Sequence, residues 1–377
     1  MKQNPLSNSI KKMVKTLSWA EITSLKQKCS SALIVDLRSE KEFERGHVPG
    51  ATNIPLLTTA ERHEVGTTYK KKGKNDAICL GFSLFIKKIR CFLSNFHETS
   101  HTDNGEIRTL ILHCARGGMR SSLTAGFLKS LGYDVILAKG GYKTYRTLVL
   151  ETLEGPLAKH RLLVLHGHTG SGKTELIEEL EKDKKIGILN LEKLARHSGS
   201  AFGAFNQEGP SHTQMQFENN LFSAYEKVRH FSYLVLEIES TLGSAKILPK
   251  FRKSITSSPM ILLKKDHKKR VLSLVKDYTS KWNDKKQISF EQKLFLLKPK
   301  FSSELFQKLE SFAKAKDFKQ LIDILLKEHY DPRYNKSLKR YRKSIIAHFC
   351  VTTEKKEMIC FIKNYVNQAN SAILLRA

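Results

Sequence analysis

One eight-residue segment limits the possible folds of this 377-residue chain more than any other part of its sequence. Residues 167–174 read GHTGSGKT and match the phosphate-loop pattern G-x-x-x-x-G-K-[ST] in full. The apolar residues 162–165 before the loop predict a strand, and residues 173–181 predict the helix after it. Because strand, glycine loop and helix in this order are typical of βαβ units, the sequence predicts an α/β domain with a mostly parallel sheet.

This loop is expected to hold a di- or triphosphate. Lys173 would neutralise the phosphates, and the Thr174 hydroxyl is placed for a magnesium ion. Glu237 ends a predicted strand at residues 233–237 and is a candidate to assist that metal, with Glu239 as the second candidate; the alternative is that both are surface acids. No resident metal site is predicted. The phosphate-binding residues are expected to be Gly167, Gly170, Ser171, Gly172, Lys173 and Thr174.

A second glycine loop, CARGGMR at residues 114–120, follows another short apolar run at residues 110–113. Consecutive backbone amides in such a loop, with a helix N-terminus after it, form a nest that stabilises an anion. A cysteine held there is favoured as a thiolate nucleophile, whereas a lone cysteine elsewhere is usually a small buried hydrophobe. We therefore predict a catalytic site made of Cys114, Arg116, Gly117, Gly118 and Arg120, and buried, inert roles for Cys29, Cys79, Cys91, Cys350 and Cys360.

Two chemistries fit this cysteine loop. His113, Cys114 and Arg120 satisfy the HC(x5)R spacing of cysteine-dependent phosphatases, in which the cysteine attacks phosphorus. The alternative is transfer of sulfur or selenium. Residues 36–56, DLRSEKEFERGHVPGATNIPL, lie upstream and resemble the rhodanese family, whose cysteine carries sulfur as a persulfide. The resemblance covers roughly residues 16–146, and within it we expect Asp36, Arg38 and His47 to brace the fold.

The chain is long enough for two domains and an extension. We predict a rhodanese-like domain with the catalytic cysteine at residues 1–146, a P-loop NTPase-like domain with a parallel sheet at residues 147–265, and a basic helical extension at residues 266–377. We expect an exposed loop at residues 70–76 and no strand after residue 265. The sequence shows neither a membrane span nor a secretion signal, which predicts a cytoplasmic protein without a membrane partner.

Charge indicates the class of partner. Lys and Arg total 65 against 37 Asp and Glu, and the formal net charge is +28, concentrated after residue 250. A polyanion such as RNA is the expected partner, the alternative being a solvated lysine-rich surface. Tyr334 and Tyr341 either stack on bases or pack against a neighbouring element. A stripe at helical spacing supplies the candidate nucleic-acid-binding residues Arg333, Lys336, Lys339, Arg340 and Lys343.

The combination of both loops in one basic chain resembles the tRNA 2-selenouridine synthase family. The resemblance is carried by GHVPGATNIPLL, ERHEVGTTYKKKG, CARGGMRSS, GGYKTYR, GHTGSGKT, NLEKLARHSGSAFG, QFEN, EIESTLG and HYDPRY. The chain departs from the family at Asn190, where an Asp is usual, and at Ser198, where an Arg is usual.

The resemblance implies that selenium from selenophosphate replaces the sulfur of wobble 2-thiouridine in tRNA, through an S-geranylated intermediate made with geranyl diphosphate. Cys114 would handle selenium as a Cys–Se adduct, and the loop with Lys173 would bind the diphosphate. A selenophosphate-supplying enzyme is a further expected partner. The alternatives from the residues alone are a cysteine-dependent phosphatase or rhodanese sulfurtransferase fused to a P-loop kinase-like domain, and an RNA-binding scaffold without catalysis.

Overall fold

The chain divides into two compact units, residues 1–151 and 152–377, in a computed structural model. It describes residues 14–28, 32–100, 108–197, 211–238, 242–279, 290–292 and 294–374. No helix among these residues is both long enough and apolar enough to cross a bilayer. The predicted boundaries at residues 146/147 and 265/266 stay predictions.

The first unit is built on a five-stranded parallel sheet with the order β1-β5-β4-β2-β3. Its strands are β1 (Lys15–Leu17), β2 (Leu33–Asp36), β3 (Thr52–Asn53), β4 (Leu110–His113) and β5 (Val135–Ala138). Its helices are α1 (Trp19–Lys28), α2 (Glu40–Arg45), α3 (Thr59–Lys72), α4 (Lys74–Ile86), α5 (Ile89–Ser100), α6 (Met119–Ser130) and α7 (Gly141–Glu154), the last of which runs past the division. The predicted α/β architecture is confirmed.

Local sequence signals explain where several of these helices begin. The Ser18 hydroxyl accepts from the Glu21 amide at 3.3 Å, and the Glu21 carboxylate accepts from the Ser18 amide at 2.7 Å, which is a capping box before α1. Thr58 and Glu61 form the same arrangement before α3. Phe92 and Phe96 of α5 join the strands β2, β4 and β5 in the core of this unit.

The prediction of an exposed loop at residues 70–76 is wrong. Helix α3 runs through Lys72 and helix α4 starts at Lys74, so that only Gly73, at φ +96°, separates them. Lysine is a good helix former, and a single glycine in the left-handed region suffices to turn the chain. These two helices form a hairpin that shows few buried side chains: none on α3 and Ala77 on α4.

The second unit has its own five-stranded parallel sheet, with the order β10-β9-β6-β8-β7. The strands are β6 (Arg161–Gly167), β7 (Gly187–Leu189), β8 (Tyr233–Glu237), β9 (Met260–Lys264) and β10 (Ile345–Cys350). The helices are α8 (Pro156–Lys159), α9 (Lys173–Leu180), α10 (Leu191–Ala195), α11 (Gln214–Val228), α12 (Pro249–Ser257), α13 (His267–Thr279), α14 (Ser303–Lys314), α15 (Phe318–Leu325), α16 (Asp331–Tyr341) and α17 (Lys355–Leu374).

The expectation of a tail without strands is also wrong. Strand β10 pairs in parallel with β9 and lies at the edge of the sheet, with a bulge between Ile345 and Ala347. Helix α17 then places Met358 and Ile362 in the same core as β6 and α9. Helices α13, α14 and α15 enclose a second apolar cluster of this unit. Much of the tail is therefore part of the second unit's packing, and among its described residues most of those outside β10 are helical, as predicted.

Candidate functional site

The cysteine loop lies at the carboxyl end of the central strand of the first sheet. Strand β4 lies between β5 and β2, ends at His113, and is followed directly by Cys114. The strands β2 and β4 are neighbours, but the chain continues from β2 toward one edge of the sheet, to β3, and from β4 toward the other edge, to β5. This end of the sheet is therefore a topological switch point, where open α/β sheets bind ligands. Helix α6 begins at Met119 after Gly118, which provides no side-chain cap. The N-terminus of α6 therefore faces the cysteine loop.

A second glycine turn closes the cysteine loop. The Tyr142 amide donates to the Cys114 carbonyl at 2.9 Å, and the Lys143 amide donates to the Ala115 carbonyl at 2.9 Å. Gly141 has φ +61°, and a Cβ atom there would lie 2.3 Å from the Cys114 carbonyl oxygen. The two segments thus approach closely enough to require glycine. The sequence predicted no closing role for this turn, although the two adjacent glycines before Tyr142 were the available signal.

The thiol of Cys114 lies at the floor of this loop. Cys114 is 3% exposed, and its Sγ lies 3.2 Å from the Ser121 Oγ in the first turn of α6. The Ser121 hydroxyl also lies within 3.2 Å of the Gly118 carbonyl, to which it can donate. A hydroxyl this close to sulfur can donate to a thiolate when the site is in use. Because the thiol is buried, a reactant must approach through the loop.

The two arginines of the loop have different surroundings. Arg116 is exposed, at the outer side of the loop. The Arg120 side chain is 24% exposed, and its Nη1 lies 3.4 Å from the Glu42 Oε2 at the start of α2. Arg120 is thus oriented by a carboxylate in the first unit. Both guanidinium groups are of the kind that binds oxyanions through paired donors.

Buried charges brace the strand ends on either side of the loop. Arg38 donates from Nε to the Asp36 Oδ1 at 3.0 Å and from Nη2 to the Asp36 Oδ2 at 2.6 Å, and its guanidinium lies 3.6 Å from the centre of the Tyr142 ring. Both members of the ion pair are at most 5% exposed at the side chain. The bracing role predicted for these residues is confirmed. His47 stacks on Phe43 at 3.9 Å and contacts its carbonyl at 3.0 Å, which is likewise structural.

His113 completes this buried group. Its ring is fully buried against Trp19, with 5.3 Å between ring centroids, and its Nε2 lies 3.7 Å from the Asp36 Oδ2. Burial lowers the pKa of His113 to about 4, despite the opposing effect of Asp36. Burial opposes ionisation of Asp36, but the His113 ring and the Arg38 guanidinium hold the pKa of that carboxyl below its usual range. His113 is therefore neutral at neutral pH.

The phosphate loop occupies the corresponding place in the second unit. It follows β6, the central strand, and leads into α9 through Gly172 at φ +90°. A Cβ at Gly167 would lie 2.7 Å from the Leu263 carbonyl oxygen of β9. The Lys173 Nζ donates to the Gly167 carbonyl at 2.8 Å, so the ammonium lies across the loop. The loop and its helix have the local conformation that the motif predicted.

Polar groups beside the loop fit a phosphate and an accompanying cation. The Ser171 Oγ is buried and has no hydrogen-bond partner among the described residues. The Thr174 hydroxyl donates to Glu192 at 2.9 Å, and Glu192 is 5% exposed. Sequence reasoning did not single out Glu192, because its position within α10 shows no motif spacing to the loop. Glu237 is fully buried at the end of β8, beside β6, and Glu239 lies outside the described residues.

Within the described ranges, no group of three or more His, Cys, Asp or Glu side chains could hold a metal ion by itself. Asn190, one of the two positions that depart from the family, caps α10 through its side chain and accepts from the Lys193 amide at 3.0 Å. Ser198, the other such position, lies outside the described residues.

Helix α16 packs against the phosphate loop. Tyr334 is 6% exposed, and its ring lies 5.3 Å from the Lys173 Nζ. Arg270 joins the two elements, because it donates to the Thr169 carbonyl at 2.9 Å and pairs with Asp331 at 2.6 Å. Tyr334 is therefore a packing residue, and the alternative that it stacks on bases is wrong. Tyr341 is half-buried and lies 6.0 Å from His166, between ring centroids.

The predicted stripe of basic residues lies on the outer face of this segment. All five members are exposed, whereas Tyr334 on the opposite face is buried. Four lie on α16, and the fifth follows it in the short turn Arg342–Ser344. The structure thus places these side chains together on one surface: Arg333, Lys336, Lys339, Arg340 and Lys343.

The remaining cysteines differ from their predicted burial. Cys79, Cys91 and Cys360 are exposed, and Cys350 is half-buried. Their helices and the edge strand present these positions to solvent. Cys29 lies outside the described residues. Among the cysteines that the structure describes, Cys114 is the buried one, and it alone lies in a glycine loop.

Two family models match the chain. A model described as a rhodanese-like domain matches residues 18–148, and one described as the tRNA 2-selenouridine synthase AAA domain matches residues 160–315. The cysteine loop lies in the first match and the phosphate loop in the second. The order of the two domains is therefore that of the predicted fold class.

Curated relatives cover much of the chain. The tRNA 2-selenouridine synthase of Shewanella denitrificans is 36% identical over 267 residues, which cover 69% of this chain and 68% of the relative. The protein of that name from Marinobacter nauticus is 32% identical over 344 residues, covering 83% of this chain and 90% of the relative. That from Sulfurovum sp. is 29% identical over 363 residues, covering 88% and 94%.

Proposed function

Because this chain belongs to the tRNA 2-selenouridine synthase family, we propose that it replaces the sulfur of wobble 2-thiouridine in tRNA by selenium from selenophosphate, through an S-geranylated intermediate. One observation carries this proposal: two separate anion loops end the central strands of two parallel sheets, one with a thiol and one with a lysine. A sulfurtransferase would need only the loop with the thiol, and a kinase would need only the loop with the lysine.

The phosphate loop supports the geranylation step. The sulfur of 2-thiouridine attacks C1 of geranyl diphosphate, an S–C bond forms, and the C1–O bond breaks. Diphosphate leaves with the bonding electrons, and the base releases its N3 proton. The Lys173 ammonium and the amides of residues 170–173 would stabilise that leaving group. Thr174 and Glu192 are the side chains that would hold a magnesium ion bound together with the diphosphate.

The cysteine loop supports the selenation step. The selenium atom of selenophosphate attacks C2 of the base, a C2–Se bond forms, and the C2–S bond breaks as geranyl thiolate leaves with its electrons. Water then attacks phosphorus, the P–Se bond breaks, and phosphate leaves, so that 2-selenouridine remains. We assign selenium handling to Cys114, because its sulfur lies below the amides of the loop and the first turn of α6. Arg116, Gly117, Gly118 and Arg120 would bind the selenophosphate oxyanion around it. A selenophosphate-supplying enzyme is the expected upstream partner, and we expect the activity in the cytoplasm.

Nucleoside mass spectrometry of tRNA treated with the full chain tests both assignments. With 2-thiouridine tRNA, geranyl diphosphate and selenophosphate, Lys173→Ala should prevent geranylation. Cys114→Ala should still produce the S-geranyl nucleoside but no 2-selenouridine. Cys91→Ala, which removes an exposed cysteine, is the matched control and should behave like the unchanged protein.

Selenation at the normal rate by Cys114→Ala would exclude this thiol as the selenium-handling group. Unchanged geranylation by Lys173→Ala would exclude the phosphate-loop assignment. Rapid hydrolysis of an aryl phosphate, lost in Cys114→Ala and without any tRNA product, would instead establish the phosphatase alternative.

A further inference from the structure

The first unit contains a cavity of about 1020 Å3 that the proposed chemistry has not used. It lies between the α3–α4 hairpin and helix α6. Small-molecule sites commonly have volumes of about 300–1,000 Å3, so this cavity is large enough for a hydrocarbon chain together with an attached ring.

The walls of the cavity are mainly apolar, and several of their large side chains are exposed. Phe82 and Ile86 of α4 line it and are 46% and 63% exposed, and Tyr69 of α3 is 54% exposed. Leu123 and Phe127 of α6 line the opposite side. Large apolar side chains that converge on one concave surface indicate a binding site, because burial of that surface by a ligand is favourable.

The formally charged side chains of the cavity, those of its arginines and lysines, are all basic. Arg62, His63, Lys70, Lys74 and Arg120 line it, and no Asp or Glu does so among the described lining residues. Glu42, which does not line the cavity, orients two of these side chains: the Arg62 Nε and the Arg120 Nη1 each lie 3.4 Å from the Glu42 Oε2. An apolar space with basic groups around it is complementary to a hydrocarbon chain attached to an anion.

The cavity adjoins the cysteine loop through a shared helix. Met119 and Arg120 line the cavity, and they are the last two residues of the CARGGMR segment. Ser121, next along α6, contacts the Cys114 sulfur at 3.2 Å. A ligand that fills the cavity therefore lies against the helix turn that also forms the nest.

We propose that this cavity binds the apolar chain of an anionic ligand, with the basic side chains on its phosphates. On the proposed function, on which this assignment rests, the chain is the geranyl group on the wobble sulfur and the phosphates are those of the tRNA. The cavity then holds the leaving group of the selenation step beside the loop that handles selenium. This site is distinct from the diphosphate loop of the second unit.

Binding of two anticodon stem-loop RNAs of one sequence tests the proposal. One carries 2-thiouridine at the wobble position and the other S-geranyl-2-thiouridine, and fluorescence anisotropy gives each Kd for the full chain. We expect about tenfold tighter binding, or more, of the geranylated RNA, because burial of even two or three methylene groups suffices for that ratio. Ile86→Asp and Phe82→Ser should each reduce the preference below about threefold and leave the 2-thiouridine Kd unchanged.

Leu131→Asp is the matched control, since Leu131 is an exposed apolar residue of the same unit that does not line the cavity. It should keep the full preference. Thermal unfolding checks that each variant is folded, and both cavity side chains are exposed enough for this to be expected. A full preference in both cavity variants would overturn the proposal. So would the absence of any preference in the unchanged protein, or a dimer that Ile86→Asp dissociates without any effect on the RNA preference.

The outcome is separable from that of the proposed function. If the chain converts 2-thiouridine tRNA but the cavity variants bind the geranylated RNA with the same preference as the unchanged protein, the cavity assignment alone fails. If the chain performs neither reaction and yet the cavity variants lose the preference for the geranylated RNA, the proposed function fails and the chain-binding cavity stands.

Discussion

Substitution of Gly141 by alanine should push the Gly140–Gly141 turn away from the cysteine loop that it closes. The new Cβ would lie 2.3 Å from the Cys114 carbonyl oxygen and 2.4 Å from the Gly117 nitrogen, both backbone atoms. Ordinary C···O contacts lie near about 3.3–3.6 Å, so the segments must move apart by roughly 1 Å. The left-handed φ of +61° adds about 1–2 kcal/mol, and weakening of the two backbone hydrogen bonds adds about 1–3 kcal/mol.

Urea unfolding should therefore show a loss of about 3 kcal/mol in the first unit. Single-turnover selenation should slow by about 100-fold, since a misplacement of roughly 1 Å has that effect on positioned groups. Gly132→Ala is the control: Gly132 also has a positive φ, of +90°, but nothing lies within 4 Å of its Cβ position. It should cost only about 1 kcal/mol and leave selenation intact. Equal effects of both substitutions would refute the role of the close approach.

Two further predictions concern charge. The pKa of His113 is about 4 in the folded state against 6.5 for the free side chain, so its contribution to stability is complete above pH 6.5 and is lost between pH 6.5 and about 4. The loss is about 3 kcal/mol, and His113→Gln should remove that part of the pH dependence of urea unfolding; an unchanged slope would contradict it. The second prediction concerns tRNA binding. A triple variant with Lys336→Gln, Lys339→Gln and Arg340→Gln should lower the magnitude of the slope of log affinity against log salt concentration by about 2–3. A control variant with Lys308→Gln, Lys314→Gln and Lys319→Gln, on α14 and α15, should leave that slope unchanged.

The two anion loops could be predicted from sequence because their chemistry is local. In each loop, a few consecutive residues specify the strand before it, the turn and the start of the helix after it. The strand β4 before the cysteine loop has the predicted bounds, and so does β8, which ends at Glu237. The capping box at Ser18 and Glu21 is equally local and was equally predictable. Such signals do not depend on partners elsewhere in the chain.

The misses depend on tertiary partners. Strand β10 alternates between half-buried and exposed residues, and pairing with β9 makes it a strand although lysine-rich helices flank it. Tyr334 is buried because the phosphate loop lies below it, and Glu192 reaches Thr174 only through the packing of α10. The Gly140–Gly141 turn closes the cysteine loop across more than twenty residues of sequence. No pattern along the chain encodes these distances.

The position of β10 has a consequence for biosynthesis. This strand pairs with β9, more than eighty residues earlier in the chain, and α17 then covers the same core. During translation, the sheet that carries the phosphate loop would leave its β9 edge unpaired until residue 350 has emerged from the ribosome, whereas strands β1 to β5 are complete by residue 138. The nascent chain therefore presents a finished rhodanese-like unit long before the other can close, and that open edge is where a chaperone or a misfolding contact would engage.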